Sequence, residues 1–406
     1  MHALDGIRIL DMTQYEAGTS CTQALAWLGA DVVKVEPPAY GDPGRGVGRM
    51  TEYEDYTPYY CAWNSNKRSL AVDLRTDEGH DLFMRLVPRF DVFVENYGPG
   101  VTERLGIDYE TLSAANPQLI YTRIKGFGTT GPYAHFRCMD MIAQAAAGAF
   151  SITGEPDGPP MRPGSTTGDS GTGIQTAMAV LAAYIQRSRT GKGQLVEVSM
   201  QEAMMYYTRT RTFMASEWGT KAAPRRGNYG GRAPVNIYAC KPFGPNDYIY
   251  LMPVNQDHWD AMCAAIDRGD LLIDPRFATT ATRTEHGDAL YEEISAWTRE
   301  HTKYEAMETI GDAGVPCSAC LDTADLHHDR HLKARGFIHE VDLPVHGKVP
   351  MLGFAPRLSE SEFEIKAPPR LGEHTDEVLG AELGLDAETL SQLRDSGAIG
   401  DPSRFS

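Results

Sequence analysis

The feature that most limits how this chain folds is a rhythm in its first third, where short apolar runs alternate with helical patterns. Runs at 7–11, 32–36, 91–94 and 119–124 read as strands, and stretches at 19–29, 77–88 and near 109–114 read as helices. Strands separated by helices of this length pair in parallel, with the crossover helices covering both faces. The spacing predicts an α/β chain built on a doubly wound parallel sheet. Two helices (139–149 and 171–187), a strand (195–198) and a helix (200–216) continue the pattern. The segment Lys221–Pro234, rich in Pro, Arg and Gly, then reads as a linker or functional loop. A second domain is expected after it. Its strands fall at 236–241 and 248–252, and its helices near 256–265, 288–299 and 303–312. Another strand pair is expected within 337–352, and two amphipathic helices within 376–395.

One helix start stands out chemically. Thr166-Thr167-Gly168-Asp169-Ser170-Gly171 opens a segment in which Ile174, Met178, Leu181 and Ile185 recur on one helical face. Arg187 and Arg189 sit in its last turn and Gly191 follows it, so both ends are punctuated. A carboxylate at the N-terminal end meets unpaired backbone N–H groups and the positive end of the helix dipole, which favours its ionised form. Such an aspartate either caps the helix or attacks an electrophile.

Composition narrows the function classes. With 406 residues, two or three domains are expected; 42% hydrophobic and 23% charged residues describe an ordinary globular protein. A formal charge of −17 argues against sequence-independent nucleic-acid binding, so a polyanionic ligand needs a local basic patch. No apolar run approaches the roughly 20 residues of a spanning helix, and the opening lacks the charged and apolar regions of a signal peptide. A cytoplasmic protein that does not span a membrane is expected. The seven cysteines are scattered and odd in number, unlike a secreted disulfide framework. Cys317-x-x-Cys320 followed by His327, His328 and His331 has zinc-like composition but not the spacing of a zinc finger, and no metal is expected. No phosphate-loop fingerprint occurs, because Gly44-x-Gly46-x-Gly48 is not followed by a helical pattern.

Several stretches together resemble the class III (CaiB/BaiF-type) coenzyme A transferases. They are Leu4-Asp5-Gly6-Ile7-Arg8-Ile9-Leu10-Asp11, the run 28–36, Asn66-Lys67-Arg68-Ser69, the run 94–100, Asp140-Met141-Ile142-Ala143-Gln144-Ala145, Gly168-Asp169-Ser170 and Leu371-Gly372-Glu373-His374-Thr375. They cover nearly the whole chain in family order. The resemblance implies a Rossmann-like large domain made from both chain ends, a smaller α+β domain and an interlocked homodimer. On that basis residues 1–200 and 326–406 form the large domain, 201–225 a linker helix and loop, and 226–325 the small domain.

The resemblance also implies an activity, the transfer of CoA between an acyl-CoA and a small carboxylic acid. Asp169 is then the nucleophile, and the CoA thioester is a substrate, with no permanently bound cofactor. Gly230 and Gly231 match the family's glycine-rich loop as oxyanion donors, although Arg232 and Ala233 replace the second half of its glycine run and a plain turn stays open. Matched CoA-contacting positions are Glu16 and Ala17; Val72, Asp73, Leu74 and Arg75; Asn96, Tyr97 and Gly98; Arg104; and Arg137, Cys138, Met139 and Asp140. The three arginines suit phosphate or adenine contact, or are ordinary surface charges. Tyr59 is a candidate for the acyl pocket, and Arg232 for a substrate carboxylate or for pairing with Glu16. Glu16 stands where the oxalate-using members have glutamine, and Met139 where they have tyrosine. Two alternatives remain. One is a 2-methylacyl-CoA racemase, whose family pattern has a histidine at the position of Met139; the other is a non-catalytic CoA-binding protein.

Overall fold

The computed structural model describes residues 2–48, 56–344 and 346–401. The chain divides into two compact units, one made of Met1–Ala149, Arg162–Trp218 and Gly336–Ser406, the other of Phe150–Met161 and Gly219–Arg335. Where a small domain of 226–325 was expected, the second unit runs wider and takes in an earlier segment. The reason is local hydrogen bonding: Gly227 N–H donates to the Gly154 carbonyl (2.9 Å), and Arg225 reaches the carbonyls of Glu155 and Gly158.

The first unit is built on six parallel strands: β1 (Arg8–Met12), β2 (Asp31–Glu36), β3 (Arg68–Ala71), β4 (Val92–Glu95), β5 (Ile120–Lys125) and β6 (Gln194–Ser199). Their order is β3-β2-β1-β4-β5-β6. Alternate residues point to opposite faces of a strand, and both faces are apolar here. Leu10, Val33, Val35, Phe93 and Tyr121 pack with Phe83 of α3 (Asp77–Leu86) and Leu112 of α5 (Tyr109–Ala115). Ile9, Val32, Val92, Val94 and Ile120 pack with Leu25 of α1 (Ala17–Trp27) and Val180 of α7 (Ser170–Thr190). The remaining helices in this stretch are α2 (Pro58–Asn64), α4 (Val101–Arg104), α6 (Asp140–Ala146) and α8 (Met200–Thr210).

The chain's late segment closes the edge of this sheet. Gly372 N–H donates to Ser69 Oγ (2.8 Å), Ala71 N–H to Thr375 Oγ1 (3.0 Å) and Gly400 N–H to the Ala71 carbonyl (3.0 Å), while Val378 and Leu379 join the core. An edge strand with its backbone groups satisfied offers no template for another chain. Within 337–352, Ile338–Leu343 and Gly347–Leu352 pair antiparallel.

Helix α7 departs from the expected face. Its buried side is Gly171, Thr172, Gly173, Thr176, Ala177, Val180 and Ala183, whereas Ile174, Met178 and Ile185 are 49%, 66% and 57% exposed. Small residues face α1 because the two helices approach too closely for anything larger. A Cβ at Gly173 would run into Ser20 Oγ and the Ala17 carbonyl. The periodicity located the helix, but of its apolar stripe only Leu181 packs against the core.

The second unit has a three-stranded antiparallel sheet of Asn236–Ala239, Tyr248–Leu251 and Cys317–Ala319. Helices Gln256–Ala265, Gly287–Thr298 and Lys303–Asp312 enclose a core of Tyr238, Ile249, Trp259, Met262, Leu290 and Ile310.

Candidate functional site

In a parallel sheet of this order, the crossovers on either side of β1 and β4 leave in opposite directions, so a crevice opens beyond the carboxyl ends of these strands. A cavity of about 760 Å³ lies there. Gln14, Tyr15 and Ala17 line it from the end of β1, Asn96, Tyr97 and Gly98 from the end of β4, and Lys125 and Gly126 from the end of β5. Arg104, Arg137, Cys138, Met139 and Asp169 complete its wall. Nine residues singled out from sequence are thereby brought together.

Asp169 sits at the N-cap of α7 with helical dihedrals (φ −86°, ψ −67°), and its side chain accepts no capping hydrogen bond. Its own N–H donates to Asp140 Oδ1 (3.1 Å). That carboxylate is held in turn by Gln144 Nε2 (3.1 and 2.9 Å), which also donates to the Ser165 carbonyl (2.8 Å). Gly168 is required at this crossing, because a Cβ would run into the Asp140 carbonyl oxygen. Glu16, the residue before α1, accepts a short hydrogen bond from Thr166 Oγ1.

Three carboxyl groups thus share one buried site: Glu16 is 3% exposed, Asp140 8% and Asp169 8%. Burial raises the Asp169 carboxyl to about 8, with the neighbouring Glu16 and Asp140 adding to the shift. Burial likewise raises Glu16 to about 7, against the Thr166 hydrogen bond and with the help of Asp140. This corrects the expectation that the helix end keeps Asp169 ionised. With the cap unmade, desolvation and two like charges outweigh the dipole. Replacing Glu16 by Gln keeps an acceptor for Thr166 but removes one negative neighbour, so the titration of Asp169 should move to lower pH by about one unit. The ¹³C shift of its carboxyl carbon reads this directly, and an unmoved midpoint would show that the two groups do not interact.

The other expected residues have varied placements. Tyr59 is half-buried, and its hydroxyl is raised by burial and by the nearby Glu16 and Asp169, which places it at the carboxylate cluster. The Asn96 side chain is committed internally, accepting from Gln14 N–H and donating to the Gln14 carbonyl (both 2.8 Å). Arg104 and Arg137 are exposed on the cavity wall, where cations suit a phosphate-bearing ligand. Burial raises the Cys138 thiol to about 11, with Asp169 adding to it. Val72, Asp73, Leu74 and Arg75 are not brought to this cavity. Val72 is core, Leu74 packs against it, and Arg75 is paired with Asp73 (2.7 Å). Gly230, Gly231 and Arg232 belong to the second unit, where Gly230 N–H donates to the Val235 carbonyl (2.9 Å) and Gly231 takes φ +88°. Within its own unit Glu16 takes its hydrogen bond from Thr166.

Sequence reading missed three residues. Thr166 was legible only as part of a helix start. Tyr15 holds a left-handed backbone (φ +58°) that nothing in its residue type announces. Lys125 closes β5, tied to Glu95 (2.8 Å) and to the Tyr97 carbonyl (2.7 Å), and brings a cation to the cavity wall. Among the described residues no group of His, Cys, Asp or Glu could hold a metal ion, and no helix is long and apolar enough to cross a membrane.

Comparison with known proteins places the arrangement. The model for "CoA-transferase family III" matches residues 4–375. A formyl-CoA:oxalate CoA-transferase of Rhodopseudomonas palustris (strain BisA53) is 38% identical over 421 residues, covering 99% of this chain and 98% of that protein. One from Streptomyces coelicolor is 38% identical over 411 residues, covering 98% and 99%. Among solved structures, a CaiB/BaiF family protein from Brucella suis superposes with a TM-score of 0.84 at 33% identity, covering 94% of this chain and all of that one. A hypothetical protein of Mycobacterium tuberculosis, Rv3272, gives 0.79 at 27% identity, covering 93% and 99%.

Proposed function

The chain belongs to CoA-transferase family III and is a CoA-transferase, and from that premise we propose that Asp169 is the carboxylate that carries first the acyl group and then CoA. The observation that carries the reading is a buried aspartate on the wall of a cavity large enough for an extended thioester, at the carboxyl ends of the strands and with arginines beside it.

The chemistry is a relay that spends no water. The Asp169 carboxylate attacks the thioester carbonyl of the donor, forming a mixed anhydride and releasing CoA thiolate. The thiolate attacks the aspartyl carbonyl, giving an aspartyl-CoA thioester and the free donor acid. An acceptor carboxylate then displaces thiolate from that thioester. The thiolate finally takes the new acyl group, which regenerates Asp169. Acyl activation is conserved because each leaving group is itself a carboxylate or a thiolate. Burial of Asp169 serves this in two ways: it raises the nucleophilicity of the ionised form and keeps water from the anhydride.

The proposed substrates are an acyl-CoA and a small carboxylic acid of the kind named for the relatives, formyl-CoA and oxalate. Glu16 bears on the acceptor, because a second ionised carboxylate beside Asp169 disfavours an incoming anion. Protonation of Glu16 relieves that repulsion. Met139 lines the cavity without an exchangeable proton, so α-proton exchange in the manner of a racemase lacks a second base. A homodimer is also part of the proposal. The exposed stripe of Ile174, Met178 and Ile185, with Met214 (78% exposed) and Trp218 (82%), is apolar surface that a second copy would cover.

Incubation with an acyl-CoA in the presence of hydroxylamine tests the reading. The peptide containing Asp169 is expected to carry a hydroxamate, formed only when acyl-CoA is present. CoA exchange without modification of that residue would overturn it.

A further inference from the structure

Beyond β1 the chain leaves the sheet through Thr13, Gln14 and Tyr15 before α1 begins, and among the described residues no strand receives their backbone N–H groups. Each is taken instead by a side-chain oxygen from a different segment. Thr13 N–H donates to Asp11 Oδ1 (2.8 Å), Gln14 N–H to Asn96 Oδ1 (2.8 Å) and Tyr15 N–H to Asp42 Oδ1 (3.0 Å). The turn needs this pinning, because Tyr15 is held at φ +58°, which a residue with a side chain adopts only when its surroundings impose it.

Asp42 is itself fixed from several directions. Its N–H donates to Glu36 Oε1 (2.9 Å), its Oδ1 also accepts from Gly44 N–H (2.7 Å), and its Oδ2 is paired with Lys34 Nζ (2.8 Å). The ammonium of Lys34 donates as well to the Thr13 carbonyl (2.7 Å). Both side chains are essentially inaccessible, at 0% and 1%, and neither lines the cavity. The pair therefore grips the turn at its first and third residues, and the next residue is Glu16.

We infer that Asp42, anchored by Lys34, is a positioning residue that sets the turn Thr13–Glu16, and with it the Glu16 carboxyl, against Asp169. It touches no substrate and acts through the backbone it holds. The inference rests on the proposed role of Asp169. A misplacement of about 1 Å in such a group costs roughly a hundredfold in rate.

Two double variants, both without the Lys34 donor to the Thr13 carbonyl, isolate the Asp42 hold on Tyr15 N–H and leave neither member of the pair as an unpaired buried charge. Lys34→Met with Asp42→Ala removes the acceptor for Tyr15 N–H, whereas Lys34→Met with Asp42→Asn keeps one. The first is expected to raise amide hydrogen exchange over Thr13–Ala17 by about tenfold or more. It should lower kcat roughly a hundredfold with KM for the acyl-CoA within about threefold, and displace the pH profile of kcat. The second should hold exchange near the wild-type rate and keep kcat within about tenfold of it. Equal exchange and equal kcat in the two folded variants would overturn the inference, as would a loss in KM alone. If the alanine pair does not fold, the asparagine pair decides, since a hundredfold loss there with slow exchange overturns the inference and near-normal turnover upholds it. Amide exchange needs no turnover. A wild-type enzyme that exchanges CoA without trapping an acyl group on Asp169 would sink the proposed nucleophile and leave the exchange comparison standing.

Discussion

Replacing Asp169 by alanine should lower the rate of CoA exchange by about ten-thousandfold or more, with CoA still binding. The substitution removes the protein carboxylate that bonds to the acyl group in the proposed relay, while the residues on the cavity wall after β4 and around Arg137 stay in place. Isotope exchange between free CoA and acyl-CoA measures the first effect, and calorimetric titration with CoA the second. The variant should also be more stable than the wild type near pH 8. The carboxyl titrates at about 8 in the folded protein against 3.8 in a model compound, so the folded state resists the ionisation that the unfolded chain undergoes freely. That cost is absent below about pH 4, grows as pH rises towards 8 and disappears with the side chain. Retained exchange activity would remove Asp169 from the role given to it, and stability unchanged across this range would show that its carboxyl is not raised in the folded protein.

Replacing Lys67 by methionine should be among the most damaging changes outside the cavity, at about 3 kcal/mol of stability. Lys67 and Asp11 form an ion pair (3.0 Å) in which both side chains are inaccessible. Burial by itself would raise Asp11, but Lys67, Lys34 and the hydroxyls of Thr13 and Thr22 outweigh it and hold the carboxyl at about 2. The partners respond unequally, since burial wins at Lys67 and lowers its ammonium to about 8. Removing that ammonium relieves part of the cost and leaves the buried carboxylate with only Lys34 and the two hydroxyls to offset it. The Asn64 side chain and the Thr19 carbonyl each also lose a donor. The pH dependence follows from the direction at Asp11. In the wild type its contribution is present above the unfolded value near 3.8 and lost as pH falls through about 2. In the variant Asp11 takes up a proton more readily, so the stability deficit should narrow as pH falls from 7 towards 4. Denaturant midpoints at the two pH values measure it, and an equal deficit at both would assign the effect to packing alone.

The alternating runs before residue 125 were enough to predict a parallel sheet, because strand and helix periods differ and a parallel pair requires a crossover. Within α7 the same reasoning reached its limit. Ile174 and Met178 mark a helix correctly, yet it packs on α1 through Gly173, Thr176 and Ala177, because close approach selects small side chains that carry little periodic signal. The candidate site shows a similar division. Gly168-Asp169-Ser170 was legible as a helix start with a carboxylate, and the arginines as cations suited to phosphate. Val72 to Arg75 could not be told apart from wall residues by sequence, since an exposed arginine and one already paired with Asp73 read alike.

What the sequence alone determined was the class of fold, the positions of most elements and the aspartate on which the chemistry is proposed to turn. These follow from local periodicity, from residue types at helix ends and from a pattern spread along the chain. Only the tertiary structure decided the protonation of that aspartate. Ionisation depends on what lies within a few ångströms, and Glu16 and Asp140 reach Asp169 from positions 153 and 29 residues earlier in the chain. A helix end read in isolation favours the charged form, whereas the folded site, with two further carboxyls and little water, favours the proton.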